Sequence, residues 1–480
     1  MAKTNERGIT PQSEDFSAWY NELVVRAELA DRGPVRGTMV IRPYGYRIWE
    51  LLSGELDRLI KASGHENAYF PLFIPESHLR REAEHVEGFS PELAIVTHAG
   101  GEELEEPLVV RPTSETVVGE MYARWIDSYR DLPVKINQWA NVVRWELRPR
   151  LFLRTTEFLW QEGHTAHASE QDAVAEMLVA ADFYRELAED FAAMPVLVGD
   201  KTPSERFAGA VRTVSLEAMM RDGRALQAGT SHYLGTNFAR AFGIEYTGVD
   251  GVRTFCHTSS WGMSTRMVGG VIMTHGDDRG LVLPPRIAPY QVVIVPIGKE
   301  TELGTVSAAA DALAAELRDH GVRVTVDART HVSAGFKFNE WELRGVPVRI
   351  ELGPRDLAAG TVVVVDRLTG EKASVAAAGL APTMPARLEE FQGALFERAR
   401  EFRDSRSVRV DTFDELAAAV ATGFAYAFIC EEPGCEKAIQ ERTGATPRCI
   451  PRDGPDESGP CVVCGGSSGY GRRLVFGRAY

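Results

Sequence analysis

The chain has 480 residues, 44% hydrophobic and 25% charged, a globular composition too long for one core and sufficient for about three domains. No run of 18 apolar residues occurs, which excludes a transmembrane helix, and the polar start MAKTNERGITPQ lacks the apolar stretch of a signal peptide, so a cytoplasmic location is expected. The net charge of −15 taken alone argues against nucleic-acid binding, since phosphate contacts need Lys and Arg; a local patch such as the tail YGRRLVFGRAY, with three arginines and no acid, points the other way.

Pro43 suits the first turn of a helix along which Ile48, Leu52, Leu56, Leu59 and Ile60 recur at helical spacing until Gly64. A strand over ENAYFPLFIP (66–75) is expected next. Further on, INQWANVVRWE (136–146) reads as a strand and TEFLWQEGH (156–164) as its antiparallel partner, joined through LRPRLFL. Side chains alternate along a strand, so Ala140, Val142, Arg144 and Glu146 share one face, and Phe158, Trp160, Glu162 and His164 share another. Where the two faces coincide they form a floor of one arginine, two carboxylates, two aromatics and an imidazole. A merely solvated face would not carry Phe158 and Trp160. His167 has the other parity, so no zinc spacing arises here, and no GxSxG elbow supports a Ser-His-Asp triad.

Three prolines in LVLPPRIAPYQ (281–291) mark a boundary. Beyond it strand and helix alternate: QVVIVPIG, SAAADALAAELRDHG, VRVTVDAR, a second helix, VPVRIELG and GTVVVVDR. That alternation predicts an α/β domain with a largely parallel sheet. A helix of alternating charge, ARLEEFQGALFERAREFRD (386–404), leads to a cysteine-rich end holding five of the six cysteines in 51 residues. Cys430-x4-Cys435 and Cys461-x2-Cys464 space four thiolates for zinc; Cys449, between the pairs, could replace one ligand. Disulfides would be out of place in a cytosolic chain. Cys256, alone in GVRTFCHTSSWG, is expected to be buried and without a chemical role.

The pattern Arg144-x-Glu146, a loop, then Arg154-x3-Phe158-x3-Glu162 resembles motif 2 of the class II aminoacyl-tRNA synthetases. SSWGMSTRMVGGVIMTHGDDRGLVLPP resembles motif 3, with Arg266 as its arginine, and the early helix and strand ending at Pro71 resemble motif 1, the dimer element. No class I signature and no P-loop is present. RPTSE (111–115), FLWQEGHTAH, GTSHYLG (229–235), SWGMSTR and FKFNEWELRGVPVRIELGPRD (336–356), in that order, are similar to prolyl-tRNA synthetases of the archaeal and eukaryotic type over essentially the whole chain.

The resemblance implies an α/β protein in three parts: an α+β catalytic domain with an antiparallel sheet (1–285), an α/β anticodon-binding domain (286–400) and a C-terminal zinc-binding domain (401–480). It implies that L-proline is activated by ATP, with Mg2+, and passed to the 3′ end of tRNA(Pro) by a cytoplasmic homodimer joined through motif 1. For ATP it implies Arg144 bridging carboxylate and α-phosphate, Glu146 accepting from the adenine amine, Phe158 and Arg266 sandwiching the ring, Arg154 and Arg266 on the triphosphate, and Gln227 and Thr230 beside the nucleotide. Arg144 and Arg266 are then catalytic, which suits a planar guanidinium facing charge that grows on a phosphate. For proline it implies Thr113, Glu115, Arg144, Trp160, Glu162, His164, Phe207, His232 and Ser264; a cationic secondary amine needs such a carboxylate and acceptors. Glu342, Arg349, Arg355 and Asp356 align with residues that read guanines of the anticodon, and base edges suit such groups. Cys430, Cys435, Cys461 and Cys464 would hold a structural zinc, and the final tyrosine's carboxylate would point back toward the catalytic domain. About a hundred residues separate Glu162 from Arg266, too few for the editing insertion of bacterial-type members. A synthetase for threonine would need Cys or His zinc ligands in the catalytic domain, where none suits, and an inactive paralogue would have lost arginines that are all present.

Overall fold

The computed structural model describes residues 8–79 and 93–480; the first seven residues of the polar N-terminal stretch lie outside them. The helix expected from Pro43 spans Pro43–Ala62, with Gly64 beyond its end at φ +87°. Ile48, Leu52, Leu56 and Ile60 form its fully buried stripe. The strand expected over residues 66–75 is instead two short ones, Glu66–Asn67 and Phe73–Pro75, in different sheets. Pro71 between them has no N–H for a ladder, so the chain changes sheet there.

An eleven-stranded sheet carries the molecule. Its spatial order is Ser407–Arg409, Phe424–Ala427, Leu474–Gly477, Thr446–Pro451, Val196–Asp200, Arg212–Met219, Ala225–Gly235, His257–Ser264, Glu157–His167, Val134–Val143 and Glu66–Asn67. The last four catalytic strands before the edge pair antiparallel, and the predicted hairpin has the predicted parity: Gln138 faces Glu162, Ala140 faces Trp160 and Val142 faces Phe158. Behind the sheet the helix Glu170–Glu186 buries Ala173, Met177, Ala180, Ala181 and Tyr184. Close approach is built in: a Cβ on Gly163 would stand 1.9 Å from the Trp261 ring on the neighbouring strand.

The four strands of the C-terminal segment continue this sheet. Ile450 pairs with Asp200 and Pro451 with Gly199, where a Cβ would meet the Ile450 carbonyl oxygen at 2.3 Å. Residues 292–376 form a separate five-stranded sheet ordered Val324–Val326, Val292–Pro296, Val348–Leu352, Thr361–Asp366, Lys372–Ala376. Its first two pairings are parallel and its last two antiparallel, so it is mixed where a largely parallel sheet was expected. The reason is connection length: only residues 353–360, with the short helix Pro354–Ala359, join Val348–Leu352 to Thr361–Asp366, and only a turn follows Asp366, both too short for the crossover that a parallel pair needs. The charged helix starts earlier than its charge pattern suggested and runs Leu380–Ser405, with Pro382 in its first turn, where no N–H is needed, and Pro385 inside it.

Candidate active site

On one face of the large sheet, a cavity of about 250 Å³ is lined by Thr113, Glu115, Arg144, Phe158, Trp160, Glu162, Phe207, Gln227, Thr230, His232, Ser264 and Arg266. An adjoining hollow of about 210 Å³ shares Arg144, Phe158, Ser264 and Arg266 and adds Glu146 and Arg154. All the ATP and proline residues expected from the sequence therefore meet at one site except His164, which does not line it. It reaches the site through the Glu162 carboxylate, to whose Oε2 the His164 Nε2 donates at 3.0 Å.

The acidic end divides its labour. Glu162, 2% exposed, also accepts from Ser114 Oγ at 2.5 Å and Gln138 Nε2 at 2.7 Å. Burial alone would raise its pKa, but these donors, His164 first, hold it below the ordinary carboxylate range, while Glu162 in turn lifts His164 against its own burial. Ser114 occupies the N-cap position of the helix Glu115–Trp125, yet its hydroxyl serves Glu162 and does not cap the helix. Glu115 is different. It is buried, its pKa is raised by burial and by Glu162 against the pull of His164 and Arg144, and its Oε2 has no hydrogen-bond partner. Thr113 Oγ1, Trp160 Nε1 and Ser260 Oγ lack partners too. Buried polar atoms are seldom left so, and four around one cavity fit a polar ligand.

The other end is cationic. Arg144 Nε donates to the Pro112 carbonyl at 2.9 Å, and its guanidinium lies 5.7 Å from the Phe158 ring and 5.4 Å from Trp160. Arg266 Nε donates to the Leu153 carbonyl at 3.1 Å. Burial, then repulsion from Arg154 and Arg144, lowers the Arg266 pKa to about 10, a field that an anion would relieve. Arg154 sits 3.7 Å from Glu146. His232, beside Phe207 at 4.6 Å between ring centres, is pushed down to about 3 by burial and stays neutral.

Residues that the sequence did not single out complete the wall: Lys201, Glu205, Arg206, Thr213, Ser260 and Gly262. Strand parity could have reached Ser260 and Gly262 once Ser264 was placed; the segment 201–206 carries no local signal. Elsewhere, Glu342 and Arg349 line a third cavity of about 200 Å³ with Arg279, Arg367 and Lys372. Arg355 and Asp356 do not line it. They lie in the first turn of the helix Pro354–Ala359, where Asp356 accepts from Gly353 N at 2.9 Å. The thiols of Cys430, Cys435, Cys461 and Cys464 lie within 4.8 Å of one another, and no disulfide forms. Cys449 is buried elsewhere, against Gly199, and Cys256 is buried with its thiol pKa raised to about 12. The Tyr480 ring packs on the catalytic core, its hydroxyl donating to Asp222 at 2.5 Å and its backbone N to the Ala225 carbonyl at 3.1 Å.

Residues 96–275 match the family profile described as tRNA synthetase class II core domain (G, H, P, S and T), residues 291–387 the anticodon binding domain, and residues 413–480 the C-terminal domain of prolyl-tRNA synthetase. The chain is 63% identical to proline–tRNA ligase 2 of Rhodococcus jostii over 477 residues, 99% of both chains. It is 60% identical to the proline–tRNA ligase of Mycobacterium leprae over 478 residues, again 99% of both. Among solved structures it is similar to the crystal structure of prolyl-tRNA synthetase from Cryptosporidium parvum complexed with halofuginone and AMPPNP, at a TM-score of 0.94 and 40% identity, covering 98% of this chain and 99% of that one.

Proposed function

The chain belongs to the prolyl-tRNA synthetase family, class II aminoacyl-tRNA ligases that use ATP to charge tRNA with proline, and from that premise we propose how its residues divide the work. The observation that carries the assignment is the polarity of the cavity: an unpartnered carboxylate and hydroxyl at one end, three guanidiniums at the other. Glu115 and Thr113 take the secondary ammonium of proline, with Trp160, Phe207, His232 and Ser264 as walls. Glu162 is the fixed anion that orients them, through Ser114 and His164. The proline carboxylate lies on Arg144. One of its oxygens attacks the α-phosphorus of ATP, the bond to the β-phosphate bridge breaks, and pyrophosphate leaves. Arg144 and Arg266 meet the charge that grows at phosphorus, Arg154 and Arg266 hold the departing phosphates, Phe158 and Arg266 sandwich the adenine, Glu146 accepts from its amine, and Gln227 and Thr230 contact the nucleotide. Magnesium accompanies the phosphates. The 3′-terminal hydroxyl of tRNA then attacks the prolyl carbonyl and AMP leaves.

In this reading the parts are a catalytic domain (1–285), an anticodon-binding domain (286–400), in which Glu342, Arg349, Arg355 and Asp356 read the anticodon, and a C-terminal domain (401–480). Four closely grouped thiols suit tetrahedral zinc, a closed site whose contribution is to folding. A homodimer through the Pro43–Ala62 helix and a cytoplasmic location complete the proposal; no helix among the described residues is long and apolar enough to cross a membrane. Amino-acid-dependent ATP–pyrophosphate exchange tests it. Proline alone among a panel should support rapid exchange, and Arg144→Ala should lower the rate on the order of 10²–10³-fold with the fold intact. Near-normal exchange by that variant would remove Arg144 from the mechanism.

A further inference from the structure

The strand Thr446–Pro451 belongs to the C-terminal segment, yet one of its side chains joins an ion pair just behind the wall of the catalytic cavity. Arg448, 6% exposed, approaches Glu217 Oε2 through Nε at 3.1 Å and Nη2 at 3.0 Å. Glu217 is fully buried, and its other oxygen accepts from Lys201 Nζ at 2.9 Å. Lys201, 3% exposed, lines the cavity. Glu217 is the cross-strand partner of Gln227, so the two side chains leave the sheet on the same face, the one that Gln227 shares with the nucleotide-binding set. The group also acts electrostatically on Arg266. The segment that bears Lys201 has a second outside tie, since Thr202 Oγ1 donates to Glu436 of the C-terminal segment at 3.3 Å and Ser204 Oγ donates to the same carboxylate.

Two cations on one buried carboxylate leave one positive charge over, which faces Glu205, a second carboxylate of the cavity wall on which both cations act. Without Arg448, Glu217 and Lys201 would form a neutral pair, with the ammonium drawn onto the carboxylate by both oxygens. With Arg448 on one oxygen, Lys201 keeps a single hydrogen bond to the other and has two N–H groups left. A charged donor held half-satisfied at the wall of a cavity is suited to an anion, and the anion this site handles is the phosphate chain of ATP. We propose that Lys201 is a further phosphate-binding group of the site and that Arg448 is a positioning residue that keeps it available, acting through Glu217. This rests on the ATP-dependent activation of proline proposed above. It gives the C-terminal domain a part in substrate binding, through a side chain that never touches substrate.

The test is steady-state pyrophosphate exchange by the full-length enzyme and its K201M, R448M, R448K and K201M/R448M variants, with zinc content and thermal melting measured on each. K201M and R448M should each raise KM for ATP about tenfold, with KM for proline within about twofold of the parent. The double variant should be little worse than K201M, because the direct effect of Arg448 on Arg266 is the smallest of those that act there and is opposed by Glu217. R448K, which retains a cation, should recover most of the loss. A purely structural role for Arg448 would lower the melting temperature and leave KM for ATP unchanged; that result, or additive losses in the double variant, overturns the proposal. If R448M does not fold, K201M and R448K decide: an unchanged KM for ATP in K201M overturns it. An unmodified enzyme without proline-dependent exchange would refute the underlying activity, an outcome distinguishable from an active enzyme whose variants keep a normal KM.

Discussion

Glu115 and Glu162 are both buried carboxylates, and local sequence treats them alike. What separates them is satisfaction: Glu162 accepts from Ser114, Gln138 and His164, whereas Glu115 Oε2 accepts from nothing. Strand alternation placed Glu162 with Trp160 and Phe158, but it could not show that Glu162 is saturated by protein and Glu115 is not. Buried histidines raise a different matter. His275, within the helix Arg266–His275, has Nε2 against the Ala192 carbonyl at 2.8 Å, so that nitrogen carries the proton, and Nδ1 has no partner. Burial lowers its pKa to about 3, and that of His167 to about 4. Unfolded histidine protonates near pH 6.5, so as pH falls below that value the unfolded chain gains protons that the folded chain refuses. Stability should therefore decline from about pH 6.5 downward. His275→Gln, which keeps an N–H donor for Ala192, should show a shallower decline between pH 6.5 and 4 in denaturant titrations; equal slopes would show that His275 does not contribute.

At the scale of elements, close strand packing and the thiol cluster each make a measurable demand. The strand Glu157–His167 needs glycine at 163 because the Trp261 ring occupies the space of a Cβ. Gly163→Ala should cost about 1–3 kcal/mol, seen as a lower denaturation midpoint, since the indole must move in a packed core. A midpoint equal to the parent's would mean that the ring has room to shift. In the C-terminal segment the sequence left Cys449 open as a ligand, and the fold decides against it: its side chain lies against Gly199, in a cluster with Phe424 and Val475, away from the four grouped thiols. Elemental analysis should show about one zinc per chain, lost in Cys464→Ser and retained in Cys449→Ser. The reverse pattern would refute the ligand set.

At the scale of the molecule, the net charge of −15 pointed away from nucleic acid, yet the chain belongs to a family that acts on tRNA. Summed charge says nothing about where cations gather, and Arg144, Arg154 and Arg266 gather at one end of a site whose other end holds Glu115 and Glu162. The segment between Glu162 and Arg266 is taken up by strands of the central sheet, the helix Glu170–Glu186 and the short helix Asn237–Phe242. Alanine is smaller than proline, and a missing methylene gives a pocket only about 1–3 kcal/mol of discrimination. Alanyl-adenylate should therefore form at a measurable rate, and the chain should not hydrolyse preformed Ala-tRNA(Pro). Deacylation well above the enzyme-free rate would reveal a hydrolytic site.

The sequence by itself determined the motif residues, the helix from Pro43 and the parity of the hairpin, because these depend on spacing along a few turns of chain and on period-two alternation. It also determined the four-thiol spacing. Only the tertiary structure decided that the C-terminal strands extend the catalytic sheet, that Lys201 and Arg448 share Glu217, and that Arg355 and Asp356 stand away from the cavity that Glu342 and Arg349 line. Those relations join residues as much as 252 positions apart, Gly199 and Pro451, through the order in which strands hydrogen-bond across a sheet. That order follows from which buried faces fit together over the whole chain, and no short stretch of sequence encodes it.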